Sequence, residues 1–439
     1  MSYRLGIDTG GTFTDAVLID EQQRVSASTK QLTTRHDLTV GIGHALENLP
    51  PEQLQCVELV ALSTTLSTNS VVEGRGAPIC VLLAGYSDEH VARSGLNHVL
   101  GSDPVIQLEG GHDSQGREVR PLDEASAQAH ILRHAESVSA FAISAMFGTR
   151  NPVHERRLRK LVFELTGKPV TCGHELADSL GAPRRALTVA LNARMIPTIH
   201  RLVFAMETML KERAIDAPLM LVKGDGSLIS VETALREPVG TVLSGPAASV
   251  IGACAASGIE DAIVADMGGT TTDIAVVSGG RPKLSHQGVR IGDLQPMVEA
   301  IKVVAIGLGG DSEVRFGGRG EIVIGPRRVV PMSLLASQHA GVIEQMQRQL
   351  GEAPDRRHNR FALKLESSPE HLMRLNDIER EAWASLDSGP VSLADLMRES
   401  SRHGRAMARL ERMGLAIYSG FTPSDAAHVL GRNTHWNSE

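Results

Sequence analysis

One eight-residue pattern occurs twice and constrains this chain more than anything else in it. The copies are Asp8-Thr9-Gly10-Gly11-Thr12-Phe13-Thr14-Asp15 and Asp266-Met267-Gly268-Gly269-Thr270-Thr271-Thr272-Asp273, each reading D-x-G-G-T-x-T-D. The first follows the alternating run Tyr3 to Ile7 and precedes Ala16 to Ile19. The second lies between Ala262 to Ala265 and Ile274 to Val277. Each therefore reads as the tight turn of a β-hairpin. Two adjacent glycines let the backbone approach a ligand closely, threonine hydroxyls add donors, and aspartates can hold a hydrated metal ion. A single Gly-Gly-Thr turn joins strands in many proteins that bind nothing. A turn that recurs far along the chain reads as two similar domains facing each other across a nucleotide.

A site for phosphoryl transfer needs carboxylates to place Mg²⁺ and many N–H donors around the phosphates, because its catalysis is mostly electrostatics and geometry. Both turns supply these groups. Asp8 and Asp266 are the candidates for organising the metal and its waters. Gly10, Gly11, Thr12, Gly268, Gly269, Thr270 and Thr271 are the candidates for lining the phosphates. Asp15 and Asp273 join Asp8 and Asp266 as catalytic candidates, and they also read as carboxylates that cap a turn. No G-K-S/T follows a glycine loop at Walker A spacing.

The 439 residues suffice for two domains with separate cores and an appendage. A formal net charge of -7 argues against a nucleic-acid partner, and Arg156-Arg157-Leu158-Arg159-Lys160 reads as a solvated helix face. No run approaches the roughly 20 uninterrupted apolar residues of a membrane helix, and the first residues enter a strand, so a cytoplasmic location is expected. Cys56, Cys80, Cys172 and Cys254 form no C-x-x-C pair and suggest neither zinc nor a disulfide framework.

Along the chain, strand and helix signals alternate, predicting an α/β protein with two related lobes and mixed sheets. The expected divisions are residues 1–183, 184–332 and a mainly helical 333–439. A helix is predicted from Asp37 to Leu49, stopped by Pro50-Pro51, and a surface loop or hairpin over 101–121. Arg184 to Arg213 reads as one long helix, bent or interrupted at Pro197. Ser244-Gly245-Pro246 opens a small-residue helix capped by serine, whose amino end suits an anion. Glu370 to Leu386 and Ser392 to Met413 read as charged helices. His174-Glu175-Leu176-Ala177-Asp178 lacks the second histidine of H-E-x-x-H and reads as a surface helix. Ser67 and Ser244 have no sequence-local triad partners.

The repeated turn, with Gly6-Ile7 before its first copy, resembles the amino-terminal signature of the hydantoinase A/oxoprolinase family. Ser63-Thr64-Thr65-Leu66-Ser67-Thr68-Asn69, Leu243-Ser244-Gly245-Pro246-Ala247-Ala248, Gly307-Leu308-Gly309-Gly310-Asp311-Ser312 and Phe421-Thr422-Pro423-Ser424-Asp425-Ala426 are further matches. The resemblance implies the actin, Hsp70 and sugar-kinase superfold, with ATP and Mg²⁺ as cofactors. It also implies ATP-driven opening of a cyclic amide, in which the γ-phosphoryl goes to the amide oxygen. By the same resemblance, Gly309, Gly310 and Asp311 would hold the adenosine end, with Lys223-Gly224-Asp225-Gly226 as the competing loop. Relatives also serve as subunits of ATP-dependent carboxylases and often work with a second, B-type subunit, and oligomers are compatible with this reading. A sugar- or acid-kinase-like transferase and a non-catalytic ATP-binding subunit remain as alternatives. Many members carry His-Gly-Thr-Thr where this chain has Leu62-Ser63-Thr64-Thr65, a departure on the substrate side. The match at Phe421 to Arg432 stops at Glu439, so the carboxyl-terminal part of longer relatives is expected to be absent or on another polypeptide.

Overall fold

The computed structural model describes residues 2–10, 13–34, 38–72, 76–317, 321–353, 355–365, 375–432 and 436. Side-chain alternation decides how its first hairpin sits. β1 (Tyr3–Thr9) buries Leu5, Ile7 and Thr9, and β2 (Phe13–Asp20) buries Thr14, Ala16 and Leu18. The two pair antiparallel with Asp8 opposite Asp15, so both carboxylates share the face turned away from that core. β3 (Val25–Leu32) adds antiparallel to β2, and β4 (Val57–Thr64) lies parallel beside β1.

The chain then leaves this sheet to build another. β5 (Ile79–Ala84), β6 (Val105–Leu108), β7 (Ala140–Ala145) and β8 (Val170–Cys172) form a parallel sheet in the order β6-β5-β7-β8. The long helix Ala182–Glu212 returns the chain to β9 (Leu219–Val222) and β10 (Leu228–Ser230), completing the first sheet as β10-β9-β4-β1-β2-β3. Both sheets use that helix. Ala186, Val189, Ala190 and Ala193 pack with Ile79, Val81 and Leu83 of β5, and Leu202, Met206, Met209 and Leu210 pack with Leu5, Leu18 and Leu62. It runs unbroken through Pro197.

The second repeated turn joins β11 (Ala262–Met267) to β12 (Thr272–Ser278), and both β13 (Arg281–Pro282) and β14 (Val303–Ile306) pair with β12. β15 (Ser312–Phe316) and β16 (Ile322–Arg328) form an antiparallel hairpin. β17 (Val330–Pro331), β18 (Phe361–Lys364), β19 (Val391–Ser392) and β20 (Ala416–Gly420) make a sheet in the order β17-β20-β18-β19. The protein is thus α/β with several mixed sheets, as expected. It divides into two compact units: Met1–Val264 with Ala275–Val303, and Ala265–Ile274 with Val304–Glu439.

Several expectations need correcting. The expected boundary at 183/184 falls at the start of a helix buried in both sheets of the first unit, where packing is continuous, and the compact units divide elsewhere. In the 333–439 region helices cover most of the described residues, but they flank an additional sheet with β18 and β20 at its centre. Residues 101–121 contain β6, an edge strand only four residues long. Ser392 to Met413 is two helices, since the Ser400 hydroxyl accepts from His403 N and starts a new one at Ser401. Of the helix expected from Glu370 to Leu386, the part up to residue 374 lies outside the described residues, and the described part is a helix from Asp377 capped by Asn376. The expected cap Asp37 lies outside the described residues, as do Gly11 and Thr12.

Candidate functional site

The first turn is held by short backbone links. Gly10 N donates to Phe13 O at 2.9 Å, closing the hairpin end. Thr65 N donates to Thr9 O and Thr9 Oγ1 to Ser63 O, tying the turn to the end of β4. Because Ser63 pairs with Asp8 in register, its hydroxyl reaches the carboxylate and donates to Asp8 Oδ1. Asp15, across the hairpin, is ion-paired with Lys30 Nζ of β3 at 2.6 Å.

A helix start meets this turn. Ser244 Oγ donates to Thr64 O and accepts from Thr64 N, so Ser244–Ser257 begins against the end of β4. Ser244 is therefore a tether and not the predicted cap. The helix starts after Leu243 at φ 62° with no side-chain cap. A Cβ at Gly245 would lie 3.7 Å from Asp8 Oδ1, so glycine at 245 keeps the space beside the Asp8 carboxylate clear. An uncapped helix amino end with room beside it suits phosphate, and a carboxylate held in place by the Ser63 hydroxyl suits a hydrated cation. The residues present fit a magnesium–nucleotide phosphate.

The second turn repeats the first. Gly268 N donates to Thr271 O at 2.9 Å, the same bond one copy later. Its anchor is different: Gly310 N and Asp311 N donate to Gly268 O and Gly269 O, and Thr272 Oγ1 donates to Leu308 O. The two glycine loops are thus one assembly. A Cβ at Gly269 would lie 2.5 Å from Asp311 Oδ2, and one at Gly310 would lie 2.7 Å from Ser424 Oγ. Burial pushes the Asp311 carboxyl up, and the neighbouring Arg328 guanidinium opposes that shift. Burial, then the like charge of Asp266, raises Asp273 above the usual carboxylate range.

Ser424 N also donates to Gly310 O, and Asp425 fixes this third segment by accepting from Thr422 N and Oγ1 and from Ser333 N and Oγ. In sequence the Phe421 to Asp425 segment carries only a family resemblance; chain closure alone brings it beside Gly310. Lys223-Gly224-Asp225-Gly226 is built into the structure: Lys223 pairs with Asp225 at 3.0 Å, and Gly224 exchanges backbone bonds with Gly240 and Ile301. His174 is not on a free surface helix, because its Nδ1 lies 2.6 Å from the buried carboxylate of Glu155.

Two family models match the chain: the hydantoinase/oxoprolinase N-terminal region over residues 4–166 and hydantoinase/oxoprolinase over residues 185–344. The caprolactamase subunit alpha of Pseudomonas jessenii is 32% identical over 356 residues, covering 74% of this chain and 50% of that protein. The acetophenone carboxylase gamma subunit of Aromatoleum aromaticum is 24% identical over 370 residues, covering 74% of this chain and 49% of that protein. The crystal structure of the ATP-dependent caprolactamase from Pseudomonas jessenii aligns with a TM-score of 0.62 at 27% identity, over 98% of this chain and 62% of that one. The chain spans about half the length of these curated relatives. It belongs to the hydantoinase/oxoprolinase family.

Proposed function

We propose that this member of the hydantoinase/oxoprolinase family uses Mg²⁺-ATP to open a cyclic amide of the hydantoin, 5-oxoproline or lactam type, as an A-type subunit working with a B-type partner. One observation carries the reading. The two D-x-G-G-T-x-T-D turns share the same closing Gly N–H bond, and the first faces a helix start that glycine leaves open at the Asp8 carboxylate.

In this reading Asp8 and Asp266 hold Mg²⁺ through its waters, with Ser63 fixing the Asp8 carboxylate. Gly10, Gly268, Gly269, Thr270 and Thr271 line the phosphates. Gly309, Gly310 and Asp311 serve the adenosine end, with Asp311 braced by Arg328. Asp15 and Asp273 set the charge around the two metal-facing aspartates. An amide carbon is a poor electrophile because nitrogen donates into the carbonyl, and ATP, when bound, supplies the phosphoryl group that offsets this resonance. The chain's own contribution is to fix carboxylates and N–H donors before the reaction, where they cost little to reorganise.

Carboxylase subunits among the relatives support a second reading, ATP-dependent carboxylation. Phosphate release from ATP separates the two. Hydantoins, 5-oxoproline, lactams, ketones with bicarbonate, and sugars would each be offered with and without a B-type subunit. Stimulation by cyclic amides alone is the expected result. Stimulation only by ketone with bicarbonate transfers the chain to the carboxylase reading, and a phosphorylated sugar replaces both with a kinase.

A further inference from the structure

A second polar centre lies in the first unit, at the carboxyl edge of the parallel sheet. The order β6-β5-β7-β8 places β6 on one side of β5 and β7 on the other, so the winding reverses between β5 and β7. Open parallel sheets bind ligands outside the carboxyl ends of their strands at such a reversal. Arg185 enters this edge from the first turn of Ala182–Glu212 and is only 1% exposed. Its Nη2 donates to Ala145 O at the end of β7, at 2.9 Å. Its Nε and Nη1 are buried without an acceptor.

The buried carboxylate of this edge is committed elsewhere. Glu155 Oε1 accepts from Ala145 N at 2.8 Å, and Oε2 accepts from His174 N at 2.8 Å and meets His174 Nδ1 at 2.6 Å. Among the described residues no carboxylate lies within ion-pair distance of Arg185. The hydroxyl of Tyr86 donates to Ala182 O at 2.8 Å, lies 2.8 Å from Ser144 Oγ and is also a hydrogen-bonding neighbour of Arg185, but it carries no charge to balance the guanidinium. A fully buried guanidinium with two nitrogens, Nε and Nη1, left without an acceptor is strongly unfavourable unless an anion completes it.

A cation is the wrong occupant here. Ligand atoms of Glu155, Cys172 and His174 lie within 4.8 Å of one another. Metal binding would have to break three donor contacts to Glu155, deprotonate a thiol whose burial already pushes its pKa up, and sit near a guanidinium. The backbone also limits the size of a guest: a Cβ at Gly173 would lie 3.0 Å from Arg185 Cδ.

We propose that the carboxyl edge between β5 and β7 binds a small carboxylate, gripped by the free N–H groups of Arg185. A planar oxyanion matches the guanidinium in charge and geometry. This site is independent of the nucleotide reading.

The test uses the full chain with formate and acetate as probes and chloride at equal ionic strength as control. The thermal midpoint should rise by about 2–4 °C with saturating formate or acetate and not with chloride. Labelled formate should show saturation transfer from the protein, and Arg185→Lys, which keeps the charge and loses the fork, should weaken binding at least tenfold. Arg185→Met should abolish it. If that variant does not fold, the wild-type comparison and Arg185→Lys still decide. Equal midpoints in chloride and acetate, undiminished binding by either variant, or a crystal soaked in acetate that shows only water at Nε and Nη1 would each overturn the proposal.

Discussion

The two repeated turns share a sequence and a closing bond but not a charge environment. In the first, Lys30 on β3 neutralises Asp15, and Ser63 on β4 engages Asp8. Their neighbours are strands, so this turn is finished by protein. In the second, the turn is held by backbone from the Gly307 to Ser312 loop, and Asp273 is left against Asp266. Among the described residues no lysine or arginine forms an ion pair with either. A repeat therefore fixes backbone shape more firmly than it fixes electrostatics, and the second turn is the one whose charge calls for a cation from outside.

Removing a carboxylate proposed to face the metal should have the largest effect and test whether the turns are equal partners. Asp8→Asn and Asp266→Asn should each lower ATP turnover by about 10²–10³-fold, with thermal midpoints little changed. Steady-state phosphate release over a magnesium titration is the measurement. Unchanged turnover in one variant would mean that its turn is structural.

Packing separates the turns next. Gly269→Ala places a Cβ 2.5 Å from Asp311 Oδ2, and should destabilise by about 1–3 kcal/mol in urea unfolding. Gly245→Ala, 3.7 Å from Asp8 Oδ1, should leave stability within about 0.5 kcal/mol yet weaken nucleotide binding by calorimetry. Equal stabilities for the two variants would erase this contrast.

A smaller effect concerns pH. Because the folded Asp273 pKa is raised, the ionised carboxyl costs the folded chain stability. That cost is complete at neutral pH, shrinks as pH falls through the raised folded value, and vanishes below about 4, where the unfolded chain is protonated too. Asp273→Asn should thus raise the thermal midpoint at pH 7 and have no effect near the bottom of that range. Asp15→Asn should give no such gain, since Lys30 already compensates Asp15. A matching gain at Asp15 would remove the difference between the turns.

The smallest effect belongs to Lys30→Ala. The pair is 55% and 36% exposed at its two side chains, so its loss should cost about 0–1 kcal/mol, less at high salt. A larger loss by denaturant unfolding would show that the first turn depends on β3 for more than charge.

Both hairpins were legible in the sequence because each combines alternating apolar runs with a glycine pair, and Asp8, Gly10, Gly268 and Gly269 could be named from them. The anchors were less visible. Ser424 reaches Gly310 from more than a hundred residues away, a contact that only chain closure reveals. The sheet in the carboxyl-terminal region was missed because Val330–Pro331 and Val391–Ser392 are too short to show alternation. The sequence around His174 looks like surface because its partner, Glu155, sits in a charged helix pattern whose buried face holds it.

The helix Ala182–Glu212 can also be considered as a mechanical part. Its 31 residues make a beam of about 46 Å, with the parallel sheet hung on one half and the hairpin-bearing sheet on the other. Pro197 sits between the two loads and removes one backbone bond, so the beam is most compliant there. Torque applied to the parallel sheet passes through that joint to β9, then to β4, whose last residues hold Asp8 and Ser244. Pro197→Ala would stiffen the joint without touching either sheet, so more of that twist would reach β4.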